Sequence, residues 1–165
     1  MDYKIPLQTS IGHVHLKVSN IERALDFYQH LLGFEITQRY GEGAVFISAG
    51  GYHHHIGLNT WHSKDAGPAP IRAAGLYHVA ILYPTRKDLA IILKRLIDAD
   101  YPLSGASDHG VSEAIYLNDP DLNGIELYWD RPKEQWTRDG NGNLNMTTEA
   151  LDLDDLLQLA IEPIA

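Results

Sequence analysis

Shifted by 65 residues against itself, the chain lays IGHVHLKVSNIERALDFYQHLLGF, from Ile11, over LYHVAILYPTRKDLAIILKRLIDAD, from Leu76. His13 falls on His78, Val14 on Val79, Leu16 on Ile81, Leu31 on Leu96 and Leu32 on Ile97. A chain that repeats itself in this way builds one supersecondary unit twice, which restricts its fold more than composition does. Each copy opens on an alternating stretch: His13, His15 and Lys17 project one way and Val14, Leu16 and Val18 the other, the period of a strand. A helix follows. In the first copy Ile21, Leu25, Tyr28 and Leu32 form its apolar stripe, Ser19 with Glu22 has the form of a capping box, and Gly33 is the stop. In the second copy the stripe is Leu89, Ile92 or Leu93, and Leu96, after Pro84 and Thr85.

Short apolar segments separated by Gly, Asp and Pro turns complete each copy: FEITQRY, GAVFISA and HHHIGLNTW, then YPLSGAS, EAIYLND and GIELYWD. The expected class is therefore α+β, with two βαβββ modules over residues 10–62 and 76–131. The Pro/Gly-rich SKDAGPAPIRAAG, residues 63–75, is the linker between them. A tail, residues 132–165, is Asn/Gly-rich until LDLDDLLQLA, which reads as a short acidic helix packed on the outside.

Thirteen Lys and Arg against 22 Asp and Glu give a net charge of −9 with no basic stripe, so neither nucleic acid nor an anionic membrane surface is an expected partner. No apolar run has membrane-spanning length and MDYKIPLQTS has no apolar leader core, so the expected compartment is the cytoplasm. With no cysteine, any metal must be held by His and carboxylate.

GGYHHHIGLNTW, from Gly50, sets three histidines in a run that reads as a half-buried strand. A lone histidine is ordinarily structural, but His13 and His78 occupy equivalent positions and can converge across a pseudo-twofold axis. Glu126 stands between Ile125 and Leu127, where a lone acid is costly unless paired or bound to a cation. Two histidines and one carboxylate form the open-faced site of many non-haem redox metals. The counterpart of Glu126 in the first copy is Gly57, so such a site has three protein ligands. Phe46, Tyr52, Trp61, Tyr128 and Trp129 either line an apolar pocket or belong to the core. His15, His30 and His62 read as structural or exposed, with His15 near enough to His13 to support it.

On these residues the chain resembles the vicinal oxygen chelate (glyoxalase/bleomycin resistance/dioxygenase) superfamily. Within it, the resemblance is to type I extradiol catechol 2,3-dioxygenases in a single-domain form, from about Ile11 to Trp136. GHVHLKV…FYQHLLGF and LYHVAI resemble its module starts, and SDHGVSEAIYLNDPDLNGIELYWDRP carries its histidine, then a tyrosine ten residues before a glutamate. The resemblance implies a curved mixed sheet around a metal site in which His13, His78 and Glu126 bind iron(II), with manganese(II) an alternative. It places the catalytic base at His54, with His55 as alternate and His53 as a solvated neighbour, Tyr116 at a substrate hydroxyl, and His109 near the bound ring as proton donor or hydrogen-bond partner. The implied reaction opens a catechol-type aromatic diol with O2, as in aromatic compound catabolism, in a homodimer or higher homo-oligomer.

Two departures stand out. The family's DPDGN turn reads DPDLN here, with glycine displaced to Gly124, and His109 lies closer to Tyr116 than is usual. The metal-free second domain of many type I enzymes is not seen, so the tail or another subunit is expected to close the site. Three other readings share features with this one. A thiol transferase with manganese uses the same triad, a glyoxalase-like isomerase adds a carboxylate where Gly57 stands, and a metal-free protein sequesters aromatic ligands without chemistry.

Overall fold

The computed structural model describes residues 2–161, so the last four residues of the expected tail lie outside the described residues. The chain divides into two compact units, Met1–Pro68 and Ala69–Ala165. The first contains β1 (Val14–Lys17), α1 (Ile21–Leu25) continued as a π-helix (Asp26–Leu31), β2 (Glu35–Tyr40), β3 (Ala44–Ser48) and β4 (Ile56–Asn59). The second contains β5 (Val79–Leu82), α2 (Arg86–Asp98), β6 (Leu103–Asp108), β7 (Ser112–Asn118), β8 (Gly124–Asp130), a 3₁₀ turn (Lys133–Gln135), β9 (Glu149–Ala150) and α3 (Leu153–Ile161). Their sheets run β1-β4-β3-β2 and β5-β8-β7-β6-β9. In each, the first strand lies parallel to the fourth and the other repeat strands pair antiparallel, giving the α+β architecture expected from the repeat.

The helices are held by their apolar stripes. Leu25 and Tyr28 in the first unit, and Leu89, Ile92, Leu93 and Leu96 in the second, are buried, each such side chain contributing about 1.5–3 kcal/mol. The cap of α1 differs from the sequence expectation. Asn20 is the N-cap and accepts from the Arg23 N–H, while the Ser19 hydroxyl accepts from the Arg23 guanidinium. Asn outcompetes Ser here because it stands one residue nearer the first free N–H groups. Gly33 ends the helical run with φ of 89°, a conformation that costs glycine little.

The three-histidine run is the main correction. Residues 50–55 are not strand: Gly50 and Gly51 take positive φ, and pairing of Ile47 with Ile56 leaves the histidines in the connection between β3 and β4. Only His55 makes ladder-type bonds, its N–H donating to Ile47 and its carbonyl accepting from Val14. Alternation within HHHIGL predicted a strand, but the two glycines before it set a wide reversal that uses the histidines as loop.

The DPDLN turn closes without the glycine of the family's pattern. Leu122 sits at φ 64°, stapled by the Asp119 carboxylate, which accepts from the N–H groups of Asp121 and Asn123. Gly124 has a separate function, since a Cβ there would strike the Tyr77 carbonyl and crowd His78. It lets β5 and β8 approach.

The tail belongs to the second unit. β9 pairs with the end of β6, α3 packs on α2, and Leu156 is fully buried. Glu113, 2% exposed, accepts from Arg86 Nε at 2.6 Å and Arg131 Nη2 at 2.7 Å. Those arginines also pair with Asp155 on α3 and Asp108 on β6, so one buried carboxylate ties together two helices, two strands and the residue that follows β8.

Left-handed backbone costs a branched residue about 1–2 kcal/mol. Leu122→Gly is therefore expected to raise stability in urea denaturation by about 0.5–1 kcal/mol, part of the relief being offset by glycine's greater freedom when unfolded. Glu113→Ala, which leaves two arginines facing each other, is expected to cost about 3 kcal/mol in the same measurement.

Candidate active site

In the second unit, β5 and β8 run parallel with Val79 opposite Ile125 and Ala80 opposite Glu126. That register brings His78, just before β5, alongside Glu126. Their Nε2 and Oε2 atoms are 2.9 Å apart, with the carboxylate only 13% exposed. Across the β7–β8 pairing Tyr116 stands opposite Glu126, its hydroxyl 3.1 Å from Oε1. On its other side the same hydroxyl lies 2.6 Å from His109 Nε2, and His109 Nδ1 lies 2.8 Å from the Thr147 carbonyl oxygen. His78, Glu126, Tyr116 and His109 therefore form one continuous polar chain. Burial, and then the Glu126 carboxylate beside it, push the Tyr116 phenol up to about 12, so it serves as a neutral hydrogen-bonding group rather than a phenolate at ordinary pH.

In the first unit His13 precedes β1 as His78 precedes β5. Its ring lies 4.3 Å from that of His54, centroid to centroid, and His54 also lies 5.0 Å from Phe46. His53 is more than a solvated neighbour, for its Nδ1 is 2.7 Å from Nδ1 of His54, so one of the two rings must donate there. His55 faces elsewhere, its Nδ1 bonded to the Ser48 hydroxyl at 2.8 Å and the Ala49 N–H at 3.3 Å. Loss of hydration, and then the imidazoles of His13, His53, His15 and His55, hold His54 below the usual imidazole value of 6.5. It is thus a neutral base at neutral pH.

The two units use one register position in opposite ways. In the second, small Ala80 pairs with Glu126; in the first, bulky His15 pairs with Gly57. A Cβ on Gly57 would come within 2.9 Å of the His15 ring, which also lies 5.5 Å from Trp61 and 5.8 Å from Phe46. His15 fills the space that a side chain at position 57 would need.

Among the described residues no three His, Asp or Glu side chains gather closely enough to hold a metal ion. The His78–Glu126 pair supplies two donors of the kind a divalent transition metal takes, while His13 is presented by the other unit.

The pattern for the Glyoxalase/Bleomycin resistance protein/Dioxygenase superfamily matches residues 10–127. The chain belongs to this superfamily. It is 43% identical over 153 residues to a catechol-2,3-dioxygenase of Bacillus subtilis (strain 168), a match covering 92% of this chain and 52% of that protein. It is 30% identical to biphenyl-2,3-diol 1,2-dioxygenase 2 of Rhodococcus globerulus, over 72% of this chain and 62% of that one. The chain thus spans between about half and two thirds of the length of these relatives. A crystal structure of lactoylglutathione lyase from Agrobacterium tumefaciens superposes with a TM-score of 0.59 at 18% identity, covering 75% of this chain and 96% of that one, and shares the fold.

For a member of the glyoxalase/dioxygenase superfamily, three contributions here were missed in the sequence. The Thr147 carbonyl carries no side-chain signal. The His53–His54 bond depends on loop conformation. The His15–Gly57 exchange was within reach, since aligning the copies already set Gly57 against Glu126 and needed only the partner strand's register.

Because Tyr116 is held neutral, the tyrosinate absorbance of wild type and Tyr116→Phe is expected to coincide at pH 10, where an ordinary phenol is half ionised, and to diverge only towards about pH 12.

Proposed function

We propose that this chain is an extradiol ring-cleaving dioxygenase, acting on a catechol-type aromatic diol with O2 and iron(II), with manganese(II) as the other candidate metal. The observation that carries the reading is the His78–Glu126–Tyr116–His109 chain, in which a pair of metal-type donors is joined directly to a phenol and an imidazole. Identity of 43% to a catechol-2,3-dioxygenase supports it. His13, His78 and Glu126 are the proposed ligands. The donor set fits: neutral imidazole nitrogen and one carboxylate oxygen, with Glu126 placed in an apolar strand where a cation offsets the cost of its charge. When bound, the metal supplies the electronic coupling between the electron-rich ring and dioxygen.

The chain's own residues handle protons and orientation. Neutral His54 accepts a catechol hydroxyl proton, with His53 holding its ring through the Nδ1 contact. Tyr116, fixed between Glu126 and His109, orients the substrate oxygen. His109 is the proton donor or hydrogen-bond partner on the far side of Tyr116. His55 is set aside because Ser48 and Ala49 engage it. The closed space over Gly57 counts against an isomerase that needs a carboxylate there.

The test is metal content after anaerobic purification, then catechol added in air. About one iron per chain with yellow ring-opened product supports the reading; bound metal without product across several catechols overturns it. His78→Ala is expected to lose the metal, whereas His54→Ala retains it and loses roughly 10²–10⁴-fold in turnover. Full turnover in His54→Ala would remove that residue from the scheme.

A further inference from the structure

The segment after β8 has no counterpart in the first unit, yet two of its attachments converge on one residue of the proposed site. The Thr147 N–H donates to the His109 carbonyl at 3.0 Å, and the Thr147 carbonyl lies 2.8 Å from His109 Nδ1. Both the backbone and the ring of His109 are therefore held by the same tail residue. The tail is itself fixed. β9 pairs Ala150 with Ser107 and Glu149 with Asp108, Asp155 bonds Arg86, and Gly110 leaves room for the Thr147 hydroxyl and Asn145 carbonyl, 3.3 and 3.4 Å from where a Cβ would stand.

A carbonyl oxygen only accepts, so the ring nitrogen facing it must carry a hydrogen. In a neutral imidazole with Nδ1 protonated, Nε2 is a bare acceptor. It faces the Tyr116 hydroxyl at 2.6 Å, whereas Glu126 Oε1 lies 3.1 Å from the same oxygen. The phenol has one hydrogen and two acceptors. A bare Nε2 at 2.6 Å competes with Glu126 Oε1, to which the hydroxyl donates at 3.1 Å, so the tautomer of His109 decides which acceptor the single hydrogen serves.

We propose that the main-chain carbonyl of Thr147 sets the tautomer of His109, and through it the direction of the Tyr116–His109 hydrogen bond, making the C-terminal segment a positioning element of the site. This rests on the reading above that His109 and Tyr116 serve the reaction. Thr147 touches neither substrate nor metal, so it acts only through His109.

The test is nitrogen NMR of full-length protein with labelled histidine, kept free of paramagnetic ions, with the His109 signals assigned by His109→Gln. The wild type is expected to show His109 protonated at Nδ1 and bare at Nε2. Thr147→Pro, which lacks the N–H that donates to His109, is expected to populate both tautomers and lower kcat about tenfold with KM changed less than about twofold. Thr147→Ala, which keeps the main chain, is expected to match wild type in both readouts. A wild-type His109 protonated at Nε2, an unchanged tautomer in a folded Thr147→Pro, or a changed one in Thr147→Ala would each overturn the proposal. Should Thr147→Pro fail to fold, the wild-type and Thr147→Ala spectra decide. The NMR readout needs neither substrate nor metal, so failure of ring cleavage and failure of this inference are told apart.

Discussion

Parallel pairing of the first and fourth strands of a module joins residues that are far apart in sequence. His78 and Glu126 meet at 2.9 Å only because β5 lies beside β8 in one register, with α2, β6 and β7 forming the excursion between them. A parallel pair needs such a long crossover. The approach is close, and Gly124 permits it by presenting no side chain to the Tyr77 carbonyl. Slipping the pairing by one residue would turn Glu126 to the opposite face and dissolve the polar chain with Tyr116 and His109.

The same construction in the first unit has been given different contents. Exchange of large and small partners, Ala80 with Glu126 against His15 with Gly57, keeps the summed side-chain volume similar while moving the charge to one copy. The first unit instead concentrates imidazoles: His13, His15, His53 and His54 lie within ring-contact or hydrogen-bond reach of a neighbour. The duplicated modules thus differ in content, one carrying a carboxylate beside a phenol and the other a cluster of imidazoles.

Much of this was legible in the sequence because it follows from periodicity. The helical stripes, the order of elements along the chain, the class and the matched histidines all follow from spacing. What escaped depends on competition between near-equal local options. Asn20 displaced Ser19 as cap, two glycines converted the histidine run from strand to loop, and Leu122 adopted a left-handed conformation because Asp119 holds the turn around it. The bonds to Thr147 escaped for a different reason. They come from the main chain, whose geometry no residue type announces.

The tail also alters what the second sheet shows at its margin. β9 is only two residues long, so it covers the end of β6 and itself presents almost no ladder to a further strand. At the far side of the first sheet, β2 carries Glu35, Gln38 and Arg39 and an irregular register between Ile36 and Gln38. Short length, charge and bulging are the devices by which sheet edges avoid templating one another. Growth of the first sheet past β2 and of the second past β9 is discouraged, which leaves β1 and β5, the opposite edges, as the strands on which any strand addition would have to build.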